Sequence, residues 1–324
     1  MLNSPKVSIL IPLYNAQHYI GETIESCLNQ SYSNIEIIIV DDGSTDESVS
    51  IVRVYEQKYQ HISLYTQPNS GASVARNRAF SYATGSYIQY LDADDLLDPD
   101  KIRLQVKALK SQNSRSVAFG RWGIFYESIE NVLWKSPPVN HNYDKTEEFL
   151  IELWYSGMAM VIYTWLIPRS LIEESLGWNE ALSSNDDGEF SARIVMRATK
   201  LIFVEESIGY YRKDNQDSLS KKVSYRALAS VLDSYTTYMK LMEKSLGKDK
   251  VRESLALIYS RYILFIEDEE LGYDILKKEA EYMLYTLGYQ KPLYRDKWYN
   301  HILVMLVGRK RAREIKQRIK NILS

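Results

Sequence analysis

The sequence predicts an α/β fold, a doubly wound and mostly parallel sheet, with a helical extension at its C-terminal end. From Val7 to Leu91 short apolar runs alternate with stretches of helical periodicity in the order βαβαβαβ. That order favours parallel strands joined by right-handed crossovers. The unbroken apolar run Ile35 to Val40 is typical of a strand covered on both faces. From about Ser224 onward the pattern is helical only.

The predicted elements follow in chain order. Strands are predicted at 7–12, 35–40, 62–66 and 86–91, and helices at 19–30, 47–59, 73–84 and 100–110. A mixed region follows, with strand-rich stretches at 117–126 and 201–211 and helices at 143–154 and 188–198. Helices at 227–244, 251–267 and 271–287 complete the series. We therefore predict an α/β domain over residues 1–220 and a helical region over 221–324.

Composition limits the classes of function. The chain has 324 residues, of which 45% are hydrophobic and 25% are charged, the profile of a soluble globular protein. Its formal net charge of −2 provides no basic field, so we expect no nucleic-acid partner. The single cysteine, Cys27, fits a reducing compartment, and Met1 to Lys6 leads directly into a strand without a signal peptide. We expect a cytoplasmic protein.

Acidic residues follow the ends of the predicted strands. Pro12, Asp41 and the run Asp92 to Asp95 all fall at the carboxyl ends of strands, where open α/β sheets bind their ligands. Mg²⁺ and Mn²⁺ prefer oxygen ligands and commonly share them with substrate phosphates. A metal–diphosphate site is therefore one hypothesis. The alternative is that these acids have local roles: Asp95 or Asp98 caps the next helix, and Asp41 and Asp42 begin a turn.

Six segments in collinear order carry a family resemblance. They read VSILIPLYN (7–15), VDDGSTD (40–46), NSGASVARNRAF (69–80), GSYIQYLDADD (85–95), IPRSLIEESLGWNEALSSNDDGEFSARI (167–194) and YYRKDNQDSLS (210–220). Together they resemble the family 2 glycosyltransferases of GT-A fold, over roughly the first 220 residues. The resemblance implies a nucleotide-diphosphate sugar donor, a Mn²⁺ or Mg²⁺ cofactor and inversion of the anomeric centre.

The resemblance also implies the residues that bind the nucleotide. Asp41 would hydrogen-bond the nucleobase, most often uracil, and Pro12 and Tyr14 would line the base pocket. Arg76 and Asn77 would lie near the nucleotide. For Arg76 the alternative is that it pairs only with a buried carboxylate.

The metal and the base are implied in the same way. Asp94 would bind the metal directly with Asp92 as its DxD partner, and Asp92 or Ala93 would lie close to the ribose. Asp187 would be the catalytic base, which takes the proton of the acceptor hydroxyl. The alternative for Asp187 is the N-cap of the helix that follows it.

Three further residues belong to the acceptor side or to its loops. Asp186 stands where the family has Glu and would orient the loop or an acceptor hydroxyl. Trp178 would stack on a sugar ring, or else pack in the core. The family often has a His after the YYR segment, which is absent here, so Arg212 or Lys213 would neutralise phosphate. The four histidines of the chain show no zinc spacing.

The C-terminal stretch 298–324 is basic and amphipathic with an aromatic edge. Such a helix can lie on an anionic membrane surface, which would place the protein on the inner face of the cell membrane. The alternative is a solvated helix that packs on the protein. The tyrosine-rich helices that precede it suggest a homodimer interface.

These observations predict an inverting, metal-assisted hexosyltransferase that moves a sugar, from a UDP-sugar by preference, to a hydroxyl of a glycan or lipid-linked acceptor. Cell-envelope polysaccharide is the expected setting. A sugar-phosphate nucleotidyltransferase is the rival enzyme, but it would need a Gly-rich basic loop after the first strand, where this chain has Pro12 to Asn15. A non-catalytic nucleotide-sugar-binding scaffold is the second rival, and it would have lost acids such as Asp94 and Asp187.

Overall fold

The computed structural model describes residues 4–158, 161–213, 224–268 and 272–293. The chain forms two compact units, Met1–Leu241 and Met242–Ser324. The first unit is a mixed α/β structure and the second is helical where it is described, which confirms the predicted fold class. The predicted boundary after residue 220 precedes the last helix of the first unit.

The first unit contains the sheet and the helices around it. Its strands are β1 (Val7–Leu13), β2 (Ile35–Asp41), β3 (Ile62–Thr66), β4 (Tyr87–Tyr90), β5 (Leu96–Leu97), β6 (Ser116–Phe125), β7 (Leu133–Lys135), β8 (Trp165–Pro168) and β9 (Lys200–Arg212). Its helices are α1 (Ile20–Leu28), α2 (Ser48–Lys58), α3 (Ala72–Tyr82), α4 (Lys101–Leu109), α5 (Thr146–Ser156), α6 (Arg169–Glu174), α7 (Asp186–Arg197) and α8 (Tyr225–Leu241). The sequence predicted all of these except β5, β7, β8 and α6.

The strands are ordered β3-β2-β1-β4-β8-β6-β9-β5, and β7 pairs with β6. The first four strands are mutually parallel, with Leu13 opposite Asp41 and Leu10 opposite Tyr90. Strand β8 is antiparallel to both β4 and β6, so β6 and its parallel partner β9 again run in the direction of β4. The carboxyl ends of β1, β2, β4, β6 and β9 therefore share one edge of the sheet, which we call the carboxyl edge.

Burial explains why β1 tolerates almost no polar residue. Val7, Ile9 and Ile11 lie on one face of the sheet and Leu10 lies on the other, and all four are fully buried. Each such side chain contributes roughly 1.5–3 kcal/mol when it leaves water. Gly85 is required at the start of β4, because a Cβ there would lie 2.6 Å from the hydroxyl of Ser8.

The second unit contains helices α9 (Asp249–Asp268) and α10 (Asp274–Thr286). The helices predicted over 251–267 and 271–287 correspond to them. The basic stretch 298–324 lies outside the described residues. None of the helices in the described ranges has the length and apolar content that a membrane span requires.

Candidate active site

The loops after β1 and β2 are tied together at the carboxyl edge. The backbone N–H of Asn15 donates to the hydroxyl of Ser44 at 2.9 Å, and the N–H of Thr45 donates to Oδ1 of Asn15 at 2.8 Å. Asn15 has a positive φ of 46°, a conformation that Asn tolerates better than most residues. Tyr14 stands at this edge, beyond Pro12, with 51% of its surface exposed.

The two acids at the end of β2, Asp41 and Asp42, are buried and accept hydrogen bonds from the backbone. The carboxylate of Asp41 accepts the N–H groups of Gly43 and Ser44, both at 3.2 Å. Asp42 accepts the N–H groups of Ser70 and Gly71, both at 2.8 Å. The turn alternative therefore describes the contacts of Asp41, and its contact with a nucleobase stays a prediction. Asp42 fixes the backbone at the start of α3.

Helix α3 carries one buried cationic side chain of the site, Arg76. The guanidinium of Arg76 donates to Asp92 at 2.8 Å and to Asp186 at 2.9 Å, and lies 3.8 Å from Oδ1 of Asp187. Its side chain is only 7% exposed and lies over the ring of Trp178, 4.3 Å from the centroid. Arg76 thus joins acids from the end of β4 and the start of α7. We call these four charged residues the Arg76 cluster.

The charges of the cluster shift one another. Burial disfavours the Arg76 cation, but the surrounding Asp92, Asp187 and Asp186 outweigh this effect and raise the pKa of its guanidinium. Arg76 therefore remains charged and keeps its ion pairs with Asp92 and Asp186. The paired-carboxylate alternative for Arg76 is what the structure shows, and a contact with the nucleotide stays a prediction.

Asp187 has the properties of a weakly acidic carboxyl group. Its pKa is raised to about 8, chiefly because the group is withdrawn from water, and Asp186 and Asp92 add to the shift while Arg76 opposes it. Oδ1 of Asp187 is buried without a hydrogen-bond partner, although 32% of the side chain is exposed. The N-cap of α7 is Asn185, so the capping alternative does not describe Asp187. Its role as a base stays a prediction.

Arg212 holds the acidic turn after β4 by hydrogen bonds. The N–H of Arg212 donates to Asp95 at 2.9 Å, its Nε donates to the carbonyl of Asp94 at 2.9 Å, and its guanidinium pairs with Glu22. The carbonyl of Ala93 accepts the hydroxyl of Thr23 at 3.0 Å. Arg212 thus orients the turn that carries Asp94, and its contact with phosphate stays a prediction.

Asp95 is not a helix cap. The N-cap of α4 is Asp100, whereas Asp95 is fully buried. Burial, reinforced by Asp94 and Asp92, raises the pKa of Asp95 well above the usual range. Because the Asp95 side chain is buried, it has a structural role in the turn.

Trp178 packs in the core of the first unit. It is 2% exposed and stacks on Phe190, with ring centroids 4.2 Å apart and nearly parallel planes. Asn77 accepts the N–H of Trp178 at 2.7 Å and donates to its carbonyl at 2.9 Å. The core alternative describes Trp178, and Asn77 holds its backbone. Asp186 also accepts the hydroxyl of Ser73 at 3.1 Å, a partner that the sequence did not indicate.

The acidic side chains of the site suit a metal ion that is bound partly by substrate phosphate better than one bound by protein ligands alone. In the parts of the chain that are described, no three His, Cys, Asp or Glu side chains converge closely enough to bind a metal alone. Asp92, with a side chain 32% exposed, and Asp94 lie on one turn at the carboxyl edge. Sites for Mg²⁺ or Mn²⁺ that use one or two carboxylates complete their coordination with phosphate oxygens and water. The residues present fit such a cation.

Comparison with known proteins identifies the family to which this fold and its acidic edge belong. Residues 8–175 match the family model described as "Glycosyl transferase family 2". The chain therefore belongs to this family.

Several curated relatives carry the same description. A glycosyltransferase of Haemophilus influenzae is 45% identical over 106 residues, which is 32% of this chain and 42% of that protein. YibD of Escherichia coli is 42% identical over 142 residues, 43% of this chain and 40% of YibD. TuaG of Bacillus subtilis, named as a putative teichuronic acid biosynthesis glycosyltransferase, is 44% identical over 120 residues, 37% of this chain and 46% of TuaG. The chain spans less than half the length of each of these three relatives.

Among solved structures, TarS of S. aureus (residues 1–349), crystallised with UDP-GlcNAc, has the same fold. The TM-score is 0.70 at 17% sequence identity, and the match covers 87% of this chain and 81% of the TarS chain. At this identity the likeness shows the fold.

Proposed function

We propose that the protein is an inverting, metal-assisted glycosyltransferase that moves a sugar from a UDP-sugar to a hydroxyl of a glycan or glycolipid acceptor. The observation that carries the proposal is the Arg76 cluster. One buried cation, Arg76, lies 2.8 Å from an acid of the donor-side turn, Asp92, and 3.8 Å from the acid that would act on the acceptor, Asp187.

The acids would act on different reactants, Asp94 and Asp92 on the sugar donor and Asp187 on the acceptor. Asp94 and Asp92 would hold a Mn²⁺ or Mg²⁺ ion, which supplies Lewis-acid stabilisation of the charge that develops on the leaving diphosphate. Asp187 would accept the acceptor's proton as the new glycosidic bond forms, a contribution of roughly 10²–10⁴-fold. Because its pKa is raised to about 8, Asp187 is a stronger base than an ordinary carboxylate once it is deprotonated.

The donor and acceptor classes rest on similarity. TarS was crystallised in complex with UDP-GlcNAc, which supports a UDP-sugar donor for the shared fold. The name of TuaG refers to teichuronic acid biosynthesis, which supports an envelope polysaccharide as the acceptor class. Membrane contact through 298–324, homodimerisation and a location on the inner face of the membrane stay predictions.

A panel of donors tests the proposal. Purified protein with Mn²⁺ is incubated with UDP-, GDP- and TDP-sugars, and release of the nucleoside diphosphate is measured with and without a pool of polysaccharide acceptors. We expect turnover with a UDP-sugar that Asp94→Ala abolishes and that Asp187→Asn lowers by roughly 10²–10⁴-fold, while Asp187→Asn still binds UDP. The absence of turnover with every donor, or full activity of both variants, would refute the proposal.

A further inference from the structure

Helix α8 holds the loop that leads into Asp186 and Asp187. The hydroxyl of Ser230, on α8, accepts the N–H groups of Ser183 at 2.9 Å and Ser184 at 3.0 Å, and donates to the carbonyl of Ser184 at 2.8 Å. A single buried hydroxyl therefore satisfies three backbone groups of this loop. An unpaired backbone group in such a place would cost roughly 1–3 kcal/mol.

The next residue of the loop, Asn185, has a left-handed backbone conformation. Asn185 has φ of 57° and ψ of 23°, in the left-handed region, and its carbonyl accepts the N–H of Glu189 at 3.1 Å. Its side-chain amide donates to Ser234 at 2.5 Å and to the hydroxyl of Tyr238 at 3.0 Å. The two residues on α8 thus stabilise the conformation from which α7 begins.

The fit between α8 and the first turn of α7 is close. A Cβ on Gly188 would lie 2.5 Å from the hydroxyl of Tyr238 and 2.5 Å from Oδ1 of Asn185. The ring of Tyr238 stacks on Trp154 with centroids 4.8 Å apart, so the hydroxyl cannot easily move away. The backbone on either side of Asp187 therefore follows the position of α8.

We propose that Ser230, Ser234 and Tyr238 are positioning residues that set the direction of the Asp187 carboxylate through the 183–185 loop. The inference rests on the proposed function of Asp187 and adds to it the elements that aim the base. Displacement of a reacting group by about 1 Å can lower a rate by about 10²-fold, so small changes at α8 should reach the chemistry.

The experiment compares two single-hydroxyl deletions, Tyr238→Phe and Ser234→Ala, with a control on the same helix, Thr236→Ala. The hydroxyl of Thr236 donates to the carbonyl of Leu232 on its own helix, at 3.5 Å. We expect kcat for sugar transfer to fall at least tenfold in the two test variants and less than twofold in the control. The donor KM and the Kd for UDP should stay within twofold of wild type in all three.

A second readout separates positioning from general damage. Tyr238→Phe is introduced into Asp187→Asn, and the residual transfer of the double variant is compared with that of Asp187→Asn alone. Because Tyr238 is proposed to act through Asp187, we expect no further loss.

Three results would overturn the inference. They are an unchanged kcat in both test variants, a loss of kcat/KM that comes from a higher donor KM rather than a lower kcat, or a further tenfold loss in the double variant. If the wild type transfers sugar and the test variants transfer it equally well, only this inference is refuted. If the wild type transfers no sugar, the proposed function and this inference are refuted together.

Discussion

Replacement of Arg76 by Met is the most informative perturbation of the site. Methionine keeps much of the length and apolar contact of the arginine stem but removes its charge. Asp92 and Asp186 would lose their hydrogen-bonded partner, and Trp178 would lose the cation over its ring. We expect a marked loss of stability together with a loss of activity.

The structure gives the size of the effect. Breaking a buried ion pair costs about 3–5 kcal/mol. The carboxylate partners are 32% and 22% exposed at the side chain, so water relieves part of the charge and the lower figure of about 3 kcal/mol applies. The cation–ring contact adds about 1 kcal/mol. At about 2–4 °C per kcal/mol, the total of about 4 kcal/mol lowers the midpoint of thermal unfolding by roughly 8–16 °C.

The control is Arg78→Met, two residues along the same helix. Arg78 is bonded to the carbonyl of Thr66 at 2.8 Å in an exposed setting, and its loss should cost about 1 kcal/mol. Thermal unfolding of both variants is followed at about pH 7.5 by circular dichroism, with UDP binding measured in parallel. If Arg76→Met unfolds within about 3 °C of Arg78→Met, the Arg76 cluster does not hold the first unit together.

Further predictions concern pH, metal and packing. Transfer by the wild type should rise between about pH 6.5 and 9, since the raised pKa of Asp187, about 8, keeps the base protonated below that range; a rate profile that is flat over this interval would contradict the assignment. Because Asp187 keeps its proton in the folded state and loses it in the unfolded state, the free energy of unfolding of the unliganded wild type should fall as pH rises from 3.8 to about 8. Asp187→Asn lacks this titrating group and should not show the fall, which thermal unfolding of both proteins across that interval measures. EDTA should abolish transfer and Mn²⁺ should restore it, and undiminished turnover in EDTA would exclude the metal. Gly85→Ala should lower the free energy of unfolding by about 1–3 kcal/mol, because its Cβ would lie 2.6 Å from Ser8; a urea midpoint equal to that of the wild type would show that β1 and β4 can separate there.

The part of the fold that depends on local pattern was predictable from the sequence. Strands β1 to β4 are short, mostly apolar runs, and acids stand at the ends of β2 and β4, so both the elements and the acidic edge follow from neighbouring residues. Strand β8 was not predicted, because its four residues become a strand only through pairing with β4 and β6. Strands β5 and β7 are shorter still and depend on β9 and β6 in the same way.

The arrangement of the site was less predictable than its members. Family motifs pointed to Arg76, Asp92 and Asp187, but the contact between α3 and α7 joins residues more than one hundred positions apart, and no local pattern encodes it. Ser230 and Tyr238 carried no signal at all, since serine and tyrosine on an amphipathic helix are typical of ordinary surface or interface positions. Only the tertiary structure shows that their hydroxyls meet the loop before Asp187.

The most direct test of the proposed mechanism is calorimetric titration of UDP into the protein with and without Mn²⁺. We predict that Mn²⁺ strengthens UDP binding at least tenfold, about 1.4 kcal/mol, in the wild type and in Asp187→Asn but not in Asp94→Ala. Binding of UDP that is equally strong with and without Mn²⁺, or a full Mn²⁺ effect in Asp94→Ala, would contradict it.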